Sequence, residues 1–214
     1  MRNENFYKSN KRSADMMKIN KIVRLIVVGV FCCSTTSLFS QTLKNIFSEP
    51  DSALIYFGVD FSKSKLIGEW SATEIRNKFY GSINQLVVAE PKKYVLTTAF
   101  RKNAVDFELE AVNKSNATAD TSQIISAKDA DFKRFKESDI TAIVNSLDFS
   151  GKKGTAVLFI MEAMQKYGNK PEAAVWVTFI DLDAKKVLMT ERREVRGKGG
   201  FGFRNYWGST IKSL

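Results

Sequence analysis

The sequence predicts an α+β fold: one layered domain with a mixed or antiparallel sheet of about five or six strands and two to four helices packed on it. Three observations lead there. Ala53 to Val59 is a continuous apolar run of strand type. Ser71 to Val88 carries apolar residues at helical spacing behind a capping signature. Thr155 to Arg196 holds three strand-like runs, the last two joined by a tight turn. Strands that pair as hairpins, with helices to cover a sheet face, make a layered domain.

Taken in order, Ala53 to Val59 (ALIYFGV) reads as a strand buried on both faces. Ser71 with Glu74 three residues on opens the helix, and Ile75, Phe79, Ile83, Leu86 and Val87 form its apolar face before Pro91 stops it. Tyr94 to Phe100 (YVLTTAF) reads as a second strand. Val105 to Val112 (VDFELEAV) alternates apolar and acidic, the period-two pattern of a strand with one wet face. The polar stretch Asn113 to Ser126 reads as a surface loop. Asp129 to Leu147 carries helical signals in two pieces, the second capped by Ser138. Thr155 to Gln165, Ala173 to Asp181 and Lys186 to Arg196 read as strands, with Asp181 to Lys185 turning the last pair. Phe201 to Leu214 forms a terminal helix with Phe203, Trp207, Ile211 and Leu214 on one face.

Residues 1–40 read as an export signal. Lys18, Lys21 and Arg24 precede the nine-residue apolar run Leu25 to Cys33, and small polar residues follow. That run is shorter than the roughly 20 apolar residues a membrane span needs. The polar stretch before it places the true start at Met16 or Met17. Cys32 or Cys33 would serve as the attachment point if the protein were lipid-anchored in place of being released to the periplasm or the exterior. The single globular domain is then 41–214. Residues 1–40 hold seven Lys and Arg and two Asp and Glu, so the chain totals of 33 and 23 fall to 26 and 21, and the net charge from +10 to +5. Neither the charge nor any motif points to nucleic acid.

The chain has no histidine, and both cysteines lie in the signal. Histidine-based triads and His-ligated metal sites are therefore excluded, as is a thiol nucleophile after cleavage. No cofactor or metal motif is present.

The stretch Ala174 to Gly200 (AVWVTFIDLDAKKVLMTERREVRGKGG) runs a strand into an aspartate turn, a second strand and a glycine-rich exit. It resembles periplasmic modules: the amino-terminal domain of the Tol-system propeller protein, the curli-secretion lipoprotein and the lipoprotein activators of penicillin-binding proteins. Ile180, Asp181 and Val187 fit their pattern. Ala184 and Lys185 stand where threonine and glycine are usual. The resemblance spans 27 residues and implies a non-catalytic envelope adaptor with a mixed sheet, without assigning a role to any residue. The whole chain is also similar to exported proteins of Bacteroides-like bacteria.

Six local patterns bear on function. Asp106, Glu108 and Glu110 read as a solvated strand face, Asp181 and Asp183 as turn residues. The loop Gly197 to Gly202 lacks a P-loop ending and reads as a flexible exit from the hairpin. The run Glu191 to Arg196 reads as an exposed strand guarded against edge pairing. In the terminal helix Phe203 and Trp207 read as core, Arg204 and Tyr206 as exposed. Asn116-Ala117-Thr118 matches the glycosylation pattern by chance. Lys198, Arg204 and Tyr206 are the candidate ligand-binding residues. The function expected is a non-enzymatic exported binding or adaptor protein of the envelope, with an envelope protein or glycan as partner. The alternatives are a glycan hydrolase, which needs two carboxyl groups about 5–10 Å apart, and a peripheral binder of anionic surfaces.

Overall fold

The computed structural model describes residues 46–214, which lie within one compact unit, Leu43–Leu214. The export signal, Met16, Met17, Cys32 and Cys33 lie outside the described residues.

The organising element is β5 (Thr155–Tyr167), a strand of 13 residues buried along most of its length. On one edge β6 (Lys170–Asp181) pairs antiparallel from one end of it to the other, apart from Glu162, and β7 (Lys186–Arg196) continues the meander. On the other edge two short strands share it. β1 (Leu54–Asp60) pairs in parallel with Thr155–Ile160, and β2 (Lys65–Ile67) with Ala163–Gln165. β3 (Asp106–Phe107) and β4 (Ile125–Ser126) add parallel partners to β1 and β2. The handover from β1 to β2 coincides with a bulge between Met161 and Ala163 that leaves Glu162 without a pairing partner. The sheet therefore has seven strands and mostly parallel pairings. The hairpin expectation holds only for β5, β6 and β7.

Helices cover both faces, where one covered face was expected. On the first, α1 (72–89), α2 (Leu96–Phe100) and α5 (Gly202–Ile211) enclose a core that includes Tyr56, Phe159, Val175, Phe179 and Trp207. On the second, α3 (Glu110–Ala117) and α4 (Glu137–Ser146) enclose Phe57, Leu158, Ile160, Trp176 and Ile180. Burial of large apolar side chains on both faces of β5 is what its unbroken apolar sequence requires.

Ser71 caps α1, its hydroxyl accepting from the Glu74 N–H at 3.3 Å. Ile75–Tyr80 is wound as a π-helix, which brings residues five apart onto one face. Ile75 and Tyr80 are both buried, and the Tyr80 ring stacks on Phe61 at 4.6 Å. At α4 the helix begins at Glu137, one residue before the expected cap Ser138. The Asp139 carboxylate accepts from the Lys136 N–H at 2.8 Å and closes that end.

Of two further expected strands, one is mostly helix and the other is strand over only two residues. Tyr94 to Phe100 contains α2, which puts Leu96 and Phe100 on one buried face and ends at Arg101 in a left-handed conformation. Of Val105 to Val112 only Asp106 and Phe107 pair with β1. Beyond Tyr56 the chain bends at Gly58 (φ 95°) and leaves β3. The freed backbone groups of β1 are taken by side chains. Asn84 accepts from the Val59 N–H at 2.7 Å and donates to its carbonyl at 3.1 Å. Asn116 accepts from the Phe61 N–H at 2.6 Å and also donates to Val59 at 3.0 Å. Buried backbone groups need such partners. The polar stretch 113–126, expected as loop, thus supplies part of a helix and β4.

Candidate functional site

A concave cleft lies on the first sheet face, with a volume of about 480 Å³, in the range of about 300–1,000 Å³ common for binding pockets. Its floor is a cross-strand row: Phe159 of β5 opposite Val177 of β6, and Phe179 of β6 opposite Met189 of β7. One wall is Tyr94, Val95 and α2; the other is Ile211 and Leu214 at the end of α5. Phe100 stands edge-on to Phe179 at 5.6 Å, and Phe47 meets the same ring at 5.3 Å. The Tyr94 hydroxyl donates to the Gly208 carbonyl at 3.2 Å and ties the two walls together. Burial raises the Tyr94 pKa, so the hydroxyl keeps its proton and this bond at neutral pH.

At the mouth, Val95 and Phe47 are 45% and 40% exposed, large apolar side chains standing in water. Lys93, Arg193 and Lys212 line the rim with a single side-chain carboxylate, Glu191, which pairs with Arg193 at 3.0 Å. Lys93 bonds Glu90 at 3.0 Å, and that hydrogen bond raises its pKa. The cleft is apolar within and mainly basic at its edge, and it holds no carboxylate pair.

Two fully buried carboxylates lie outside it. Glu162, fully buried at the bulge on the second face, accepts from the Phe135 N–H at 2.6 Å, Trp176 Nε1 at 3.1 Å and Arg192 Nε at 2.7 Å, and also from the Arg134 N–H. Arg192 adds a bond to the Phe132 carbonyl at 2.7 Å. Burial works against its charge, but the hydrogen bonds to Glu194 and Glu162 prevail and raise its pKa. This network staples the 132–135 loop across three strands. It also corrects the reading of Glu191 to Arg196 as a wholly exposed strand, since Arg192 turns inward. Asp60, at the end of β1, accepts from the Ser62 N–H at 2.9 Å and the Ser115 hydroxyl at 3.0 Å. Burial raises its pKa above the ordinary carboxylate value, despite those bonds.

The other sequence candidates are placed as follows. Asp106, Glu108 and Glu110 do not converge: Glu108 pairs with Lys152 at 2.8 Å and Glu110 with Lys114 at 2.6 Å. The hydrogen bond from Lys152 lowers the Glu108 pKa. Asp106 and Asp51 flank a small hollow of about 220 Å³, both exposed, with Asp51 accepting from Asn103 at 2.5 Å. Asp181 and Asp183 accept from the Ala184 and Gly154 amides at 3.0 and 2.8 Å, as turn residues do. Asn116 is buried, its amide engaged by β1, so the glycosylation match is not accessible. Phe203 and Trp207 are core, as expected. Lys198 and Arg204 are exposed, but Tyr206 is half-buried, its ring edge-on to Trp207 at 5.1 Å. Among the described residues no hydrogen bond or ion pair joins Lys198, Arg204 and Tyr206. No group of three or more His, Cys, Asp or Glu among the described residues is placed to hold a metal, and no described helix is long and apolar enough to cross a membrane.

Sequence reasoning missed the cleft because its floor and walls come from residues scattered from 47 to 214. Glu162 left a signal: it is the one charged residue inside the apolar run Ala156 to Met164.

No family model matches the chain, and no curated protein matches it. Solved structures do. The LpoB C-terminal domain from Salmonella enterica is 11% identical, with 74% of this chain and 92% of that one covered and a TM-score of 0.28. A hypothetical protein from Chlamydia trachomatis is 9% identical, covering 76% and 87%, with a TM-score of 0.33. A lipoprotein from Neisseria meningitidis is 10% identical, covering 68% and 82%, also at 0.28. None of the three comes from a Bacteroides-like bacterium. The chain is an α+β domain with a curled seven-stranded sheet, similar over most of its length to these three proteins at low TM-scores.

Proposed function

We propose that this is an exported, non-enzymatic binding or adaptor domain of the cell envelope, and that the cleft over Phe159, Val177, Phe179 and Met189 receives an apolar segment of a partner protein with an acidic flank. The observation that carries the reading is the cleft mouth. Val95 and Phe47 stand exposed over an aromatic floor, where partner side chains would displace water from a preformed pocket. The rim sets Lys93, Arg193 and Lys212 against Glu90 and Glu191, and the net positive charge favours acidic residues beside those anchors. Export rests on the basic, apolar and small-residue order of residues 17–41. Glu191, the single side-chain carboxylate lining the cleft, is paired, so the cleft lacks the two acids of a glycan hydrolase.

The test is a photo-crosslinking residue at position 95 in the producing cells, with one at exposed Lys153 near the opposite sheet face as comparison. The expected result is one reproducible adduct from position 95 that Met189→Glu abolishes, on an envelope protein whose crosslinked segment is apolar with an acidic flank. Equal capture from both positions, or capture that survives Met189→Glu, would refute the assignment.

A further inference from the structure

A second surface lies at the turn end of the β5–β6 hairpin, away from the cleft floor. Three large apolar side chains stand exposed there: Phe201 at 97%, Tyr167 at 56% and Trp70 at 40%. Each belongs to a segment tied to the others. Trp70 is edge-on to Phe203 at 5.0 Å, which places it beside α5, and Lys166 lies over its ring at 5.3 Å. Arg196 stacks on Tyr167 at 3.7 Å. The Gly197 N–H donates to the Pro171 carbonyl at 2.9 Å, so the loop that carries Lys198 and Phe201 is held against the hairpin. Gly199 (φ 81°) and Gly202 (φ 75°) bracket Phe201 and let the loop project it.

The charge of this end is one-sided. Lys166, Lys170, Arg196, Lys198 and Arg204 are all exposed. Glu172 and Arg196 offset each other at 2.8 Å, with Gln165 on the same carboxylate at 2.7 Å, which leaves Lys166, Lys170, Lys198 and Arg204 facing exposed Glu69 beside Trp70. Tryptophan and tyrosine with basic neighbours suit the headgroup level of a bilayer, where the ring is half-desolvated and the cation stays wet. Phe201 has no polar atom to satisfy and gains most from the acyl boundary.

We propose that this end of the domain docks on an anionic lipid surface, with Phe201, Trp70 and Tyr167 entering the headgroup layer and Lys166, Lys170, Lys198 and Arg204 contacting lipid phosphates. The occupant follows from charge complementarity together with the unpolar character of Phe201, which an anionic glycan would leave in water.

The chain has three tryptophans, and Trp176 and Trp207 are buried. Trp70 is thus the emitter a surface can change, and residues 1–45 contain none. The experiment adds phosphatidylcholine vesicles containing roughly a quarter phosphatidylglycerol to the full chain at low salt and follows tryptophan emission. The expected result is a blue shift that phosphatidylcholine vesicles do not cause and that about 0.5 M NaCl reverses. Lys198→Glu lowers the apparent affinity on the order of tenfold. Phe201→Ser, at a side chain almost wholly in water, lowers it about fivefold or more with unfolding unchanged. No shift with the anionic vesicles, an equal shift with phosphatidylcholine alone, or unchanged affinity in both variants would overturn the proposal. So would retention on purified peptidoglycan without vesicle binding. Val95→Glu, which blocks the cleft, leaves the shift intact, so failure of one site is distinguishable from failure of the other.

Discussion

Replacing Glu162 with alanine is expected to cost about 3–5 kcal/mol, the range for removing one partner of a buried ion pair. The carboxylate is fully buried and is the acceptor for four donors: the Arg134 and Phe135 amides, Trp176 Nε1 and Arg192 Nε. Each buried donor left unpaired costs roughly 1–3 kcal/mol. Arg192, whose side chain is 15% exposed, keeps only Phe132 and Glu194 to hold its charge. In a domain of this size each kcal/mol moves the melting temperature about 2–4 °C, so the midpoint falls by roughly 6–20 °C. Urea unfolding followed by tryptophan emission is the assay, because Trp176 touches the site. An internal control is the Arg193–Glu191 pair on the same strand, at 52% and 58% exposure. Arg193→Ala should cost less than about 1 kcal/mol. If Glu162→Ala stayed within about 1 kcal/mol of the parent, or matched Arg193→Ala, the carboxylate would not be the staple described.

Asp60→Asn should raise stability at neutral pH and flatten its pH dependence. Burial raises the folded pKa of Asp60, so the folded state holds the proton more tightly and its stability falls as pH climbs from about 3.8 through that raised value. Urea midpoints from pH 4 to 8 should show a variant-minus-parent difference that grows with pH; a difference that shrinks contradicts the burial argument. Gly197→Ala should destabilise by about 1–3 kcal/mol, since a Cβ there would meet the α5 backbone at Ser209 and Thr210 at 2.9 Å. Thermal melts check it, and an unchanged midpoint would mean the strand exit does not press on α5. Asn84→Ala and Asn116→Ala should each cost about 1–3 kcal/mol, and the double variant less than the two together because both amides serve the Val59 carbonyl. Strict additivity in denaturant titrations would refute the shared cap.

The hairpin half of the sheet was legible because β5 and β6 carry long apolar runs and a turn rich in Asp and Lys joins β6 to β7. The α1 start was legible through Ser71, and α5 through Phe203, Trp207 and Ile211. The other half was not. VDFELEAV has the alternation of a strand, but β1 bends at Gly58 and offers only Ile55 and Tyr56 to pair. The remaining residues become α3, which buries Ala111 and Val112. YVLTTAF is rich in strand formers, yet Leu96 and Phe100 reach the core as a single helical turn. In both places tertiary burial overrode local preference. Asn84 and Asn116 looked like ordinary polar residues, because their role depends on a bend elsewhere in the chain. The cleft was invisible for the same reason: Phe47, Val95, Phe159, Phe179 and Met189 meet only once the sheet is assembled.

Hydrogen–deuterium exchange of the chain with and without the partner captured at position 95 tests the central claim most directly. Docking in the cleft predicts new protection confined to residues 93–100, 187–193 and 209–214. Protection over 110–117 and 137–146 instead, on the far side of the sheet, would contradict it.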